Sequence, residues 1–342
     1  MNFISDNAYG ASPEILAAVM AAADGTAVSY GEDALTARVT ARFSRLFLRD
    51  VAVFPVVTGT AANSLILSAL CPPYGAVLCH EKSHIAVDEC GAPEFFTGGA
   101  KLALIPGDGG KLTPGSIDTA LRNFQSGVHS AKPSAISITQ ATELGTVYRP
   151  EEIAAIAERA HARGLKLHMD GARFANALVH LGCSPAELTW QAGVDALSFG
   201  ATKNGALMAE AAIFFDPASA RDFGLRRKRG GHLVSKMRFV SAQLDAYLEG
   251  GLWLRNAAHA NALAKTLSGG LSKIAGVTIP HATEANAVLA LVPDALAAKL
   301  RDGGAKFYDW SPSVEGRTLI RLVCSFATPD ADVERLLDVA RS

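Results

Sequence analysis

At 342 residues, with 49 % hydrophobic and 19 % charged side chains, the chain has the length for one large and one small globular domain. Its 32 basic and 33 acidic residues leave a formal charge of −1, which argues against a general nucleic-acid binder. No apolar run reaches transmembrane length, and the start, Met-Asn-Phe-Ile-Ser-Asp, lacks the pattern of a signal peptide, so a cytoplasmic protein is expected.

Residues 1–30 read as an N-terminal arm and a first helix. Ser12 supplies a capping hydroxyl and Pro13 a first helical residue. A polar loop, Val28 to Asp33, leads into a helix whose Leu35, Val39, Phe43 and Phe47 share one face. Residues 31–250 read as one large domain in which strand, loop and helix repeat. The strand candidates are 51–57, 76–79, 102–105, 135–139, 165–169, 194–199 and 211–215; Pro55 marks the first as an edge or bulged strand. Pro150 to Gly164 carries every signal of a helix: proline first, acids in the first turn, arginine and glycine at the end. Such alternation predicts a mainly parallel seven-stranded sheet with ligands at the carboxyl ends of its strands. The loops 58–63, 80–91, 140–145, 170–173 and 200–205 all follow strands and would gather on that edge.

After residue 225 the alternation fades into a basic stretch, Arg226 to Arg238, read as a solvated helix face from which one arginine could reach a phosphate. Residues 251–342 read as a small α+β domain. It has a long helix from Trp253 to about Ile274, broken near Gly269-Gly270, then strands at 276–279, 287–291 and 318–325, a helix over 293–303 and a closing helix from Asp330. The five cysteines are odd in number and form no C-x-x-C pair, so reduced thiols are expected. Cys79-His80-x-x-x-His84 carries metal-ligand residue types at a spacing that matches no finger pattern, and no metal is expected.

Two strand ends carry the chemistry. The run ending at Met169 is followed by Asp170-Gly-Ala-Arg173, and the run ending at Phe199 by Gly-Ala-Thr-Lys203-Asn-Gly. An acid and a lysine on neighbouring strands suit pyridoxal phosphate (PLP), which needs a carboxylate to keep its ring nitrogen protonated and an amine for a Schiff base. Thr58-Gly59-Thr60-Ala61, between a strand and a helix, offers backbone N–H groups to a phosphate, although the same pattern also makes a plain tight turn. His84 could stack on a cofactor face and act as a base, or be a polar loop residue; His129, before a strand, is ambiguous. Arg321 stands in an apolar strand and needs an anion, either a substrate carboxylate or an internal acid, and Arg173 faces the same choice.

Together Ser5-Asp6-Asn7, Tyr30-Gly-Glu-Asp33, Thr58 to Asn63, His84-Ile85, Asp88 to Ala92, His168-Met-Asp-Gly-Ala-Arg173 and Ser198 to Lys203 resemble the threonine aldolase family of PLP enzymes, over nearly the whole chain. The resemblance implies PLP fold type I, a homodimer or homotetramer with shared active sites, and cleavage of L-threonine or L-allo-threonine to glycine and acetaldehyde. A phenylserine aldolase, a β-eliminating lyase and an aminotransferase are the alternatives. It implies Lys203 as the Schiff-base lysine, Asp170 on the ring nitrogen, His84 against the ring, and Gly59, Thr60 and Ala61 at the phosphate. Ser5, Arg173 and Arg321 would hold the substrate carboxylate, with Arg173 also near the cofactor and His129 near the substrate hydroxyl. Tyr30, for the substrate, and Arg229, for the cofactor, would come from a neighbouring subunit. The chain departs from the family pattern at Asn7 and over Gly230 to Arg238.

Overall fold

A computed structural model describes residues 1–342. Its large sheet comprises β1 (Ala52–Val56), β2 (Gly75–His80), β3 (Lys101–Ile105), β4 (Lys132–Thr139), β5 (Lys166–Gly171), β6 (Ala196–Gly200) and β7 (Glu210–Phe214). The strand order is β1-β7-β6-β5-β4-β2-β3. From β6 to β3 all neighbours are parallel, and β7 alone runs against β6 and β1. Helices cover both faces, so β2, β6 and β7 are buried along their whole length and read as mainly apolar runs, interrupted only by His80, Ser198 and Glu210.

Pro55 lies, as expected, in an edge strand, since β1 pairs only with β7. The helix Phe223–Arg229 covers that edge, and Arg227 donates to the Pro55 carbonyl at 3.2 Å. The basic stretch is therefore not wholly a solvated face. Arg227 is buried without a carboxylate partner, and burial alone pulls its pKa down to about 10.

The smaller sheet, ordered β8-β10-β9, is antiparallel: β8 (Ala287–Pro293), β9 (Tyr308–Asp309) and β10 (Arg317–Val323). Two expectations for this part need correction. The segment 276–279 is no strand; it turns at Gly276 (φ 79°), and only Thr278 bridges to Leu291 before Pro280, which has no N–H to donate. The long helix, Leu252–Leu271, runs unbroken through Gly269 and Gly270. A Cβ on Gly270 would collide with Leu337 of the closing helix Asp330–Arg341, so this glycine allows close helix approach and does not end the helix.

The first turns of the long helix, with Leu252, Trp253 and Ala257, join the core under the large sheet, whereas Leu263 to Leu271 join the core under the small one. Phe3 is fully buried in that second core. Its N–H donates to Lys306 O (2.8 Å) and its carbonyl accepts from Val323 N (2.9 Å). This anchor carries the arm across the small sheet and delivers Ser5 and Asp6 to the large sheet's carboxyl edge.

Candidate active site

Strand pairing sets the centre of the site. Ser198 of β6 lies opposite Asp170 of β5, and Gly200 opposite Glu210 of β7, so the segments leaving β5 and β6 emerge side by side. The Asp170 side chain is buried. Its Oδ1 accepts the Ala172 N–H (3.0 Å) and its Oδ2 accepts from Asn63 Nδ2 (2.9 Å), which together fix the carboxylate's orientation. Two residues back on the same face, His168 bridges Ser137 of β4 (2.9 Å) and Ser198 of β6 (3.0 Å). Burial pushes its pKa down to about 4, so it is a neutral cross-brace beneath Asp170.

Lys203 sits half-buried in the turn Thr202–Asn204, and its amine has no hydrogen-bond partner or counter-ion in the chain. The turn around it is rigid. Asn204 Nδ2 donates to Tyr247 Oη (2.7 Å) and to Trp253 O (2.8 Å), while Asn256 donates to the Asn204 carbonyl (2.8 Å). Ala201 N–H donates to Glu210 Oε2 at 3.0 Å. Burial raises the Glu210 pKa to about 7, against the pull of Lys203. Gly205 takes a φ of 120°, and a Cβ there would stand 2.7 Å from Asn256 Nδ2; both the backbone angle and the space demand glycine.

Two loops flank this centre. Thr58 caps the helix Gly59–Leu70, its Oγ1 accepting from Ala61 N at 3.1 Å. Ala61 is thus committed to the cap, and the N–H groups of Gly59 and Thr60 are left at the open helix end. On the other side His84 Nδ1–H donates to Glu89 Oε1 (2.8 Å), and the same oxygen accepts from Asn63 Nδ2 (2.8 Å). Asn63 therefore joins two carboxylates, and a hydrogen-bonded chain runs from His84 through Glu89 and Asn63 to Asp170. Burial opposes charging of His84, but the Glu89 bond and the Asp170 charge outweigh it and raise its pKa. Burial likewise raises the Glu89 pKa.

A second ionic group lies beside the first. Arg173 donates from Nε (2.8 Å) and Nη2 (3.0 Å) to the two oxygens of Asp6, and Asn286 also donates to Asp6 (3.0 Å). Burial favours a neutral Asp6, yet Arg173 above all, with Lys203 and the two hydrogen bonds, pulls its pKa down to about 2. The free Nη1 of Arg173 lies 4.0 Å from Glu143 Oε1, and Arg321 Nη2 lies 3.4 Å from Glu143 Oε2. Arg321 thus has an internal acid partner, and its guanidinium rests 5.0 Å from the Trp310 ring centroid. Ser5, half-buried, caps Asn7 N at 3.1 Å next to Asp6.

The structure thus gathers Lys203, Asp170, His84, Gly59, Thr60, Ser5, Arg173 and Arg321 along one sheet edge. It does not bring His129 there. That residue is exposed in the loop entering β4, at the amino end of an eight-residue strand whose carboxyl end meets the site. At roughly 3.3 Å per residue the separation is about 25 Å. Tyr30 and Arg229 also stand apart. Tyr30 is exposed with the Lys228 ammonium 4.4 Å from its ring centroid, and Arg229, next along the helix, lines a surface groove with Phe95 and Phe96. Asn63, Glu89, Asp6, Glu143 and Asn286 were not singled out from the sequence for the site. Glu143 lies in a loop that follows a strand, the same signal that marked Lys203; Asp6, Asn63 and Glu89 lie within the motifs that carry the family resemblance, and Asn286 carries no local signal.

The beta-eliminating lyase family model matches residues 2–295. The chain belongs to that family. It is 48 % identical over 335 residues to the low specificity L-threonine aldolase of Pseudomonas sp. (strain NCIMB 10558), covering 98 % of this chain and 95 % of that protein. Among solved structures, Leishmania major threonine aldolase superposes with a TM-score of 0.94 at 28 % identity, over 99 % of this chain and 98 % of the other. Sphingomonas wittichii serine palmitoyltransferase, 16 % identical with a TM-score of 0.72 over 99 % of this chain and 86 % of its own, shares the fold. This family member thus has the seven-stranded, mainly parallel architecture expected from its sequence.

Proposed function

We propose that this chain is a PLP-dependent carbon–carbon lyase that cleaves L-threonine, L-allo-threonine and related β-hydroxy-α-amino acids between Cα and Cβ, giving glycine and acetaldehyde. The observation that carries the reading is the unpartnered Lys203 amine leaving β6 beside the oriented Asp170 carboxylate at the end of β5. The near full-length likeness to a low specificity L-threonine aldolase favours aldol cleavage over β-elimination, transamination or a phenylserine preference.

The donor set fits the cofactor. Asp170 offers a carboxylate held by two hydrogen bonds, Lys203 a free amine, and the space where a Cβ would stand at Gly59 is empty to 4 Å, leaving its N–H and that of Thr60 open to a phosphate. When bound, the cofactor supplies an aldehyde that condenses with an amine and a protonated ring that accepts the electron pair left on Cα. Asp170 would keep that ring nitrogen protonated. Arg173 and Arg321 would grip the α-carboxylate, and with the amino group fixed near Lys203 this grip decides which Cα bond is aligned for cleavage. His84, its Nδ1–H tied to Glu89, presents Nε2 as the group that takes the β-hydroxyl proton, directly or through a water, as acetaldehyde leaves. A homodimer or homotetramer in which Tyr30 and Arg229 serve a neighbouring copy, and a cytoplasmic location, belong to the same proposal. No helix is long and apolar enough to cross a membrane.

The test is incubation of the holoenzyme with L-threonine alone. Glycine and acetaldehyde in equal amounts are expected. Ammonia with an oxo-acid would identify a β-eliminating lyase, and a requirement for an added oxo-acid an aminotransferase. Lys203→Ala is expected to abolish turnover and the cofactor's bound absorbance while the protein stays folded; normal turnover in that variant would overturn the assignment.

A further inference from the structure

We propose that Glu143 is the resident occupant of the carboxylate subsite: it spans Arg173 and Arg321 until the α-carboxylate of an amino acid displaces it, and so restricts entry to ligands that carry one. The inference deepens the aldolase reading and rests on it for the identity of the amino acid.

Glu143 stands where the substrate carboxylate is expected. Two of the three nitrogens of Arg173 are taken by Asp6, so Nη1 is its one free edge, and that edge faces Glu143 Oε1 at 4.0 Å. Arg321 Nε is buried without any partner, and Nη2 reaches Glu143 Oε2 only at 3.4 Å. Charge-assisted N–H···O bonds settle near about 2.8 Å, the distance Arg173 Nε keeps to Asp6. The Glu143 contacts are loose by that measure. One acid in this cluster is locked and the other is held by charge at a longer reach, as a displaceable occupant would be.

The backbone under Glu143 is fixed, so displacement is a side-chain rotation. Gln140 donates to Tyr148 O (2.7 Å) and accepts from Tyr148 N (2.9 Å), Thr142 Oγ1 donates to Gly109 O (3.0 Å), and Glu284 N donates to Gly145 O (3.1 Å).

Charge balance favours the exchange. Two guanidiniums, Arg173 and Arg321, meet two carboxylates, Asp6 and Glu143, all with side chains at most 12 % exposed. Burial favours a neutral Glu143, but Arg173, then Arg321, Lys203 and His84, hold its carboxyl below the usual range, so it is an anion. Without it Arg321 would face Arg173, whose charge already lowers the Arg321 pKa alongside burial. An incoming carboxylate that took Glu143's place would keep the count at two against two. One that joined without displacing it would set three carboxylates on the two guanidiniums in a site largely closed to water.

Acetate, glycine and ethylamine, titrated calorimetrically into the holoenzyme, test the proposal. A resident that fills the subsite most of the time lowers apparent affinity by the fraction of time the subsite is open. Glu143→Gln keeps the shape and removes the charge, and it is expected to tighten acetate and glycine binding by roughly three- to tenfold while ethylamine is unaffected. Glu143→Ala, which leaves no side chain to compete, is expected to shift acetate in the same direction. Unchanged or weaker acetate binding in a variant that keeps the wild-type melting curve would overturn the resident role. If wild-type enzyme gives no acetaldehyde from threonine, the aldolase reading fails while the acetate comparison still decides the role of Glu143.

Discussion

The contact between Asp6 and Arg173 permits a quantitative prediction. Asp6→Asn preserves size and removes the charge that receives two hydrogen bonds from Arg173 and one from Asn286. Breaking one side of a buried ion pair destabilises by about 3–5 kcal/mol, and since Glu143 remains near Arg173 the lower end, about 3 kcal/mol at pH 7, is expected. The pH dependence gives an independent figure. The Asp6 carboxyl moves from 3.8 to about 2 on folding, and at about 1.4 kcal/mol per unit this is worth about 2 kcal/mol. Because the folded value is the lower one, the contribution is complete from about pH 5 upward and fades as pH falls through 3.8 towards about 2. Urea unfolding of wild type and Asp6→Asn, repeated from pH 7 downward, should show a stability gap that is constant above pH 5 and narrows by about 2 kcal/mol towards the acid limit. The same variant should raise KM for threonine, because Arg173 loses the contact that aims Nη1 into the site. A gap that does not change with pH, or a variant as stable as wild type at pH 7, would refute the reasoning.

Glu89→Gln removes the largest of the contributions that raise the His84 pKa, leaving the charge of Asp170. If His84 must be neutral to take the β-hydroxyl proton, the acid limb of kcat/KM should move to lower pH and the plateau kcat should fall about tenfold as the base weakens; an unmoved limb would remove His84 from that step. Gly269 and Gly270 form a matched pair in one helix. A Cβ at Gly269 meets nothing within 4 Å, so Gly269→Ala should stabilise by up to about 1 kcal/mol through helix propensity. A Cβ at Gly270 would stand 3.0 Å from Leu337 Cγ and closer still to its methyls, so Gly270→Ala should destabilise by about 1–2 kcal/mol despite the same propensity gain. Thermal melts of the two variants check the sign, and equal shifts would show that packing against Leu337 does not decide it.

The large sheet was legible because its information is local. Apolar runs with both faces covered, Pro55 at an edge, and glycine-bearing turns after Met169 and Phe199 each report on the few residues around them. The same locality explains the misreading at Gly270. Read alone, two adjacent glycines suggest a helix break worth about 1 kcal/mol each, and only the approach of Leu337, dozens of residues away, reveals what the second one is for. The fragment 276–279 failed for a related reason: its residue types suit a strand, but a ladder needs a neighbour over more than one residue.

The ionic residues show where local reading stops. Arg321 in an apolar strand announces that an anion must be near, and that much follows from desolvation. Which anion depends on a pairing across 178 positions, and the Asp6–Arg173 bond spans 167. A buried charge in a sequence is thus a demand with an unnamed supplier. The threonine aldolase resemblance pointed to the substrate as supplier for Arg173 and Arg321, while the fold places Asp6 and Glu143 there in the free chain. The two answers are compatible if one acid is permanent and the other exchanges, and the contact distances separate them in that way: 2.8 Å for Asp6 against 3.4 Å for Glu143. An arginine pair already neutralised by a tight and a loose acid can accept a carboxylate without being left unpaired before it arrives, which a pair waiting empty in a buried site could not do.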